Sequence, residues 1–156
     1  MRPYGESGLI KKMLIGVLVL ALTLIGYRVL LVGDVNAQVA AELRANPQGD
    51  RAQKSMLVTL ADGREYPVNF LQKDNTLYVG IDGLWWREFS GDGQLVSLLL
   101  KGRSLEGQAK VVLDDRELRN RIFAELRPKW PKWLPAWLNG KLVVIELHSA
   151  EVPTSS

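Results

Sequence analysis

The sequence contains no cysteine and a single histidine, His148. Without thiols there is no disulfide, no thiolate nucleophile and no Cys-ligated zinc or iron–sulfur site. One imidazole near the C-terminus gives a His-based metal cage or a Ser–His–Asp triad little to build on, so no metal site is expected. Glu146 lies two residues before His148, a spacing that reads as a surface contact at a strand end. The excess of one charge over the other is also small, a formal net charge of +3. Lys and Arg together number 20 against 17 Asp and Glu. The basic excess lies beside an apolar segment or is scattered among acids, which argues against a dedicated nucleic-acid face. At 156 residues, 47% of them hydrophobic, the chain has room for one domain with an ordinary core.

What is present begins with a long apolar run. Residues 13–32 read MLIGVLVLALTLIGYRVLLV, and roughly 20 helical residues match a hydrocarbon core of about 30 Å. The one charge, Arg28, lies near the far end, where its stem can reach the headgroups beside Tyr27. The run predicts a single transmembrane helix. It exceeds the apolar stretch of a cleaved signal peptide, although residues 35–37 (VNA) could form a cleavage site. Lys11 and Lys12 place residues 1–12 in the cytoplasm by the positive-inside bias. The globular part is then expected on the periplasmic or extracellular side, with the lipid bilayer as a partner. Residues 33–53 read as a stalk helix and linker. Asp34 is its cap, Val35, Val39 and Leu43 form its stripe, and Asn46 and Pro47 end it.

Residues 54–148 read as the globular domain, with 149–156 as a disordered tail. Strands are expected at 54–60 and 65–71, joined by a turn over 61–64 (ADGR) with its Asp-Gly signal. Tyr66, Val68 and Phe70 share one face of the second strand. A third strand over 76–82 turns Leu77, Val79 and Ile81 inward. A fourth over 94–101 is apolar on both faces and reads as doubly covered. A fifth over 104–113 places Leu105, Ala109, Val111 and Leu113 inward. Asp114 and Glu117 have capping-box spacing ahead of a helix with Leu118, Ile122 and Leu126 as its stripe, stopped by Pro128. The last strand is 141–147. The predicted class is mainly β (α+β): a small six-stranded barrel with one or two helices, behind the transmembrane helix.

The order of elements and several local motifs resemble the split β-barrel of the flavin-binding, pyridoxamine-phosphate-oxidase-like superfamily. Within it, the deazaflavin-dependent nitroreductase-like branch is the nearest in pattern. The motifs are Gly63-Arg64 with Pro67, then Leu77-Tyr78-Val79 leading to 80–83 (GIDG), then 85–89 (WWREF), 95–103 and 142–147. The resemblance implies a groove beside the barrel that holds FMN or a deazaflavin, with the protein positioning the cofactor for hydride transfer. The implied cofactor-binding residues are Arg64, Pro67, Gly80, Gly83, Trp85, Trp86 and Arg87. No catalytic residue is implied. A small-molecule redox substrate follows, with a quinone as the natural acceptor for an anchored enzyme, and a homodimer is implied by analogy. Two departures stand out. The phosphate loop is reduced to 61–64 with an acid in place of a cation, and Glu88 replaces an Asn.

The residues themselves leave alternatives open. Arg64, Arg87, Lys101 and Arg103 form either a cationic pocket or a set of solvated turn residues. Trp130, Trp133 and Trp137, interleaved with Lys129, Lys132 and prolines, read as a stiffened loop over the barrel, a lipid-interface contact or a substrate-lining segment. The competing reading of the whole chain is a membrane-tethered binding or assembly module that kept the barrel without its cofactor chemistry.

Overall fold

The computed structural model describes residues 6–131, 133 and 139–148, and for residues 6–9, 25 and 27–34 the backbone course alone. Residues up to 38 and residues from 39 onward form separate compact units. The helix α1 (Glu6–Ala45) is continuous, so the expected stalk is part of one helix and Asp34 starts no new one. Ile10, Met13, Leu14, Ile15 and the apolar residues through Leu24 are exposed along it.

Among the described residues no helix is long and apolar enough to cross a membrane. This overturns the expected single-pass topology, with residues 1–12 cytoplasmic and the barrel periplasmic or extracellular. The apolar side chains described from residue 13 to 24 account for about 18 Å of helix, against a hydrocarbon core of about 30 Å. The expected roles of Tyr27 and Arg28 fall outside the described side chains. The case for a membrane-soluble quinone acceptor rested on the anchor and goes with it.

In the second unit six strands close into an antiparallel barrel. They are β1 (Ser55–Thr59), β2 (Glu65–Lys73), β3 (Thr76–Ile81), β4 (Gln94–Leu100), β5 (Arg103–Val112) and β6 (Lys141–Leu147). Around the barrel they run β1-β2-β3-β6-β5-β4. The last strand therefore sits between β3 and β5, and β1 closes on β4 through Leu57 opposite Leu99 and Thr59 opposite Ser97. Alternating side chains fill the interior: Met56 and Val58, Leu77, Val79 and Ile81, Val96, Leu98 and Leu100, Ala109 and Val111, Val143 and Ile145. This is the period-2 pattern that a small barrel demands, because its lumen is wide enough only for side chains.

The helix α2 (Arg116–Leu126) covers part of the outside. Ile122 and Phe123 are buried with Leu142, and Leu71, Tyr78, Val112, Leu118 and Leu126 pack around them. Its N-cap is Asp115, whose Oδ1 accepts from the Leu118 backbone N–H at 2.8 Å. Asp114, the cap expected from spacing, is one residue too early. The helix ends with Arg127 as its C-cap, directly ahead of Pro128, as a following proline dictates.

The end of α1 and the residues after it meet the barrel at two points. Arg44 is paired with Glu65 of β2, and Pro47 lies against Gly102 after β4. Ala40, Leu43 and Ala52 are buried there, and so is Leu57, which the barrel interior does not include. The expectation for β4 needs correction. Leu95 is 48% exposed and Ser97 is exposed, so β4 is covered on its inner face and only partly on the outer one. Likewise β5 ends at Val112, leaving Leu113 exposed instead of inward.

Strand direction gives the barrel two different ends. At one lie Thr59, Glu65, Ile81, Gln94, Val112 and Lys141, and a 3-10 turn (Leu84–Phe89) connects β3 to β4 there, with Phe89 buried as a plug. At the other lies the two-residue turn Lys101-Gly102, both with positive φ, a hairpin geometry that matches strand twist.

The uneven cover of β4 makes a direct prediction. Leu98→Ala should cost about 2–5 kcal/mol of unfolding free energy, the usual loss for a buried leucine, whereas Leu95→Ser should stay within about 0.5 kcal/mol. Urea unfolding of the two variants measures the difference, and equal losses would mean that β4 is covered on both faces.

Candidate functional site

Of the seven residues singled out by resemblance, Arg64, Gly83, Trp85, Trp86 and Arg87 fall at the end of the barrel that carries the 3-10 turn. Pro67 lies on β2 opposite Leu57, outward between the inward Tyr66 and Val68. Gly80 is on β3, also outward, facing α2. A Cβ at Gly80 would stand 2.6 Å from Phe123 Cε1 and 2.9 Å from an Arg127 nitrogen, so glycine there permits the helix to approach. Lys101 and Arg103 are at the opposite end of the barrel from Arg64 and Arg87, and the four cations do not converge.

The side chains at the Trp-bearing end are held in specific ways. Arg64 donates from Nε to Asp62 Oδ2 at 2.6 Å, from Nη2 to Glu88 Oε1 at 2.9 Å and from Nη1 to the Tyr66 hydroxyl at 3.3 Å. Its backbone N–H donates to Asp62 Oδ1 at 3.0 Å, closing an Asx-type turn over the hairpin. The Glu88 carboxylate, and then Asp62, hold the guanidinium still more firmly in its charged form. The Asp62 carboxyl is held below its ordinary value of 3.8, first by the backbone N–H of Arg64 and then by its side chain. Two carboxylates thus occupy the cation that a phosphate would need, and the Asn-to-Glu departure supplies one of them.

Trp85 stacks on Tyr66 with ring centroids 4.2 Å apart and planes 4° from parallel, and meets Phe89 edge-on at 5.6 Å. It is packing for the barrel plug. Gly83 sits at the N-cap of the 3-10 turn, where a Cβ would come within 2.9 Å of the Trp85 ring. Trp86 has different neighbours. Arg87 Cζ lies 5.7 Å from its ring centroid and Lys141 Nζ 5.6 Å, both within cation–π range. Neither cation has a carboxylate partner among the described residues.

Tested against an FMN-type group, the two halves of this end behave differently. The Arg64 side does not fit a phosphate, since Asp62 and Glu88 already neutralise it. The Trp86 side fits an anion better: Arg87 and Lys141 lie over the ring with no carboxylate partner among the described residues, while the half-buried indole packs against the barrel core. Sequence reading missed Lys141. It stands opposite Ile81 in the β3–β6 register, and that pairing joins segments no local pattern connects.

Elsewhere, Trp130 is half-buried and Trp133 is 81% exposed, while Trp137 lies outside the described residues. A cleft of about 450 Å³ on the outer side of β5 and β6 is lined by Lys110, Val112, Asp114, Asp115, Val144 and Glu146, among others. Its three carboxylates against one lysine make it unsuited to a phosphate. No group of three or more His, Asp or Glu that could hold a metal occurs among the described residues.

The lowered Asp62 carboxyl sets a pH dependence. A carboxyl whose folded value is depressed stabilises above its unfolded value and loses that contribution as pH falls through the folded one. The Asp62 contribution is therefore present above about pH 3.8 and lost below it. Asp62→Asn should leave melting temperature less sensitive to acid in that window, and 1 M salt should shrink the difference between variant and wild type, as it does for exposed pairs. Parallel acid profiles for the two proteins would remove Asp62 from the set.

Comparison with known proteins bears on the fold. No family model matches the sequence, and no curated protein does either. Among solved structures, a candidate pyridoxamine 5′-phosphate oxidase from Listeria innocua superposes with a TM-score of 0.50 at 16% identity. The match covers 64% of this chain and 89% of that one. A general stress protein 26 candidate from Jannaschia gives 0.46 at 14% identity over 72% of this chain and 75% of the other. An FAD-binding protein from Mesorhizobium loti gives 0.41 at 17% over 70% and 90%. With its closed six-stranded order and its likeness to the Listeria structure, the chain has the fold of that protein, a small six-stranded split barrel.

Proposed function

We propose that the chain is a flavin-type split-barrel oxidoreductase that takes an anionic, planar cofactor, FMN or a deazaflavin, on the Trp86 face of the barrel end. One observation carries this reading: Trp86 lies beside two cations, Arg87 and Lys141, that no described carboxylate neutralises. An indole offers a stacking surface to an aromatic ring, and lysine and arginine offer charge-assisted bonds to a phosphate. The similarity in fold to a protein described as a pyridoxamine 5′-phosphate oxidase supports the same class. Bound there, the cofactor would supply hydride chemistry, while the chain binds, orients and shields it. Arg64 and Trp85 have a different part. They hold the turn in place through Glu88 and Tyr66, so they support the site without contacting the ligand.

A second reading is a binding or assembly module without redox chemistry. The commitment of Arg64 to Asp62 and Glu88 favours it, because the loop that the resemblance assigns to the phosphate is closed.

Titration of the purified full chain with FMN or a deazaflavin, followed by visible absorption and tryptophan fluorescence, separates the two. Trp86→Leu and Lys141→Met should each weaken binding roughly fivefold to thirtyfold, as expected for losing about 1–2 kcal/mol of stacking or charge. Arg64→Ala should weaken binding less than Lys141→Met does, since its donors are already taken and it acts only through the turn. A wild-type chain that binds neither chromophore would favour the module, and Arg64 outweighing Lys141 would place the ligand elsewhere.

A further inference from the structure

Among the described residues Arg127 is the most heavily bonded side chain, and nothing in the sequence set it apart. Its guanidinium grips Asp82 with two parallel bonds, Nη1 to Oδ1 at 2.8 Å and Nη2 to Oδ2 at 2.9 Å. Nη1 also donates to the Asn139 carbonyl at 3.2 Å and to Asn139 Oδ1 at 3.1 Å, and Nη2 donates to the Gly80 carbonyl at 3.2 Å. The fork lies 5.2 Å from the Phe123 ring centroid and the side chain is 21% exposed. Paired bonds of this kind fix orientation as well as distance, because guanidinium and carboxylate are both planar.

The three segments it ties are not neighbours in sequence. Gly80 and Asp82 lead from β3 into the 3-10 turn that carries Trp86 and Arg87. Asn139 leads into β6, whose first residue is Lys141. Arg127 itself caps α2. Beyond the last registered pair of the sheet, Ile81 with Lys141, the chains on both sides would otherwise be free to diverge. Two glycines make room for the junction. Gly80 admits Phe123 and Arg127, and Gly140 has φ +76 with its Cβ position 2.6 Å from Asp82 Oδ1 and from the Ile81 carbonyl.

We infer that Arg127 is a positioning residue that sets Lys141 against Trp86, and so fixes the cationic–aromatic geometry that receives the anionic ligand. This rests on the reading of Trp86 and Lys141 given above. A lysine at the same place keeps the charge but cannot hold Asp82, Asn139 and Gly80 at once.

Two measurements on the full chain test it separately from that reading. In the first, amide hydrogen exchange of Arg127→Lys, without ligand, should accelerate about tenfold or more at residues 82–86 and at 139–141 together, with β1 and β4 unchanged. Exchange that stays at wild-type rates, or rises on one side only, overturns the latch whether or not the protein binds FMN. In the second, FMN affinity is compared in a double-mutant cycle. Arg127→Lys should weaken binding about fivefold in the wild-type background and have little effect once Lys141 is Met, since the arginine acts through that lysine. Equal losses in both backgrounds would reduce Arg127 to a general structural role. A wild type that binds neither FMN nor a deazaflavin refutes the ligand reading and the positioning role with it, while the exchange result stands on its own.

Discussion

The arrangement depends on the insertion of the last strand between β3 and β5. β6 takes up the open edges of both neighbours, and the six-stranded order closes only because it does so. A sheet with free edges invites pairing with other chains, and closure removes them. Closure also brings together parts of the chain that are far apart in sequence, at an entropic cost that rises slowly with loop length. The buried rows of Leu77, Val79, Ala109, Val111, Val143 and Ile145 offset that cost from inside. Once β6 is in place, Lys141 stands opposite Ile81, at the edge of the turn that bears Trp86.

Three arginines near this end illustrate how neighbours decide what a cation does. Arg64 is held by Asp62, Glu88 and Tyr66, so it joins the hairpin to the 3-10 turn and has little left for an anion. Arg127 is saturated by Asp82, Asn139 and Gly80 and ties α2 to both sides of the β3–β6 junction. Arg87 is exposed beside Trp86 and has no described acid within reach. Only the last is disposed to meet a ligand. The same division separates the two adjacent tryptophans: Trp85 is spent on Tyr66 and Phe89, and Trp86 faces cations.

Much of the barrel was legible in the sequence. Alternation located β3 closely, because Leu77, Val79 and Ile81 are buried and the residues between them are not; β2 runs two residues past its expected end, and β6 matches 141–147 although Leu142 is buried on its outer face with α2. The Asp-Gly turn and the stripe of α2 were read for equally local reasons. β4 misled, since Leu95, Leu98 and Leu99 look alike in a string while only the inward positions are fully covered. The apolar run at 13–32 suggested a span that the described helix does not supply. The site was legible only as a neighbourhood. Trp85, Trp86 and Arg87 were named as a group, yet what each side chain meets depends on Tyr66 and Lys141, from other strands. Lys141 and Arg127 carried no local signal, because their importance comes from register and from the docking of α2.

The most direct test of the Trp86 site uses the five tryptophans as internal reporters. Their indole N–H resonances can be assigned by single Trp→Phe variants and followed by two-dimensional NMR as FMN or a deazaflavin is added. A ligand held beside the Trp86 indole and its two cations predicts that the Trp86 resonance moves progressively and saturably, with Trp85, stacked on Tyr66, moving far less. A spectrum in which Trp86 stays fixed while another indole shifts, or in which none does, would contradict the proposal.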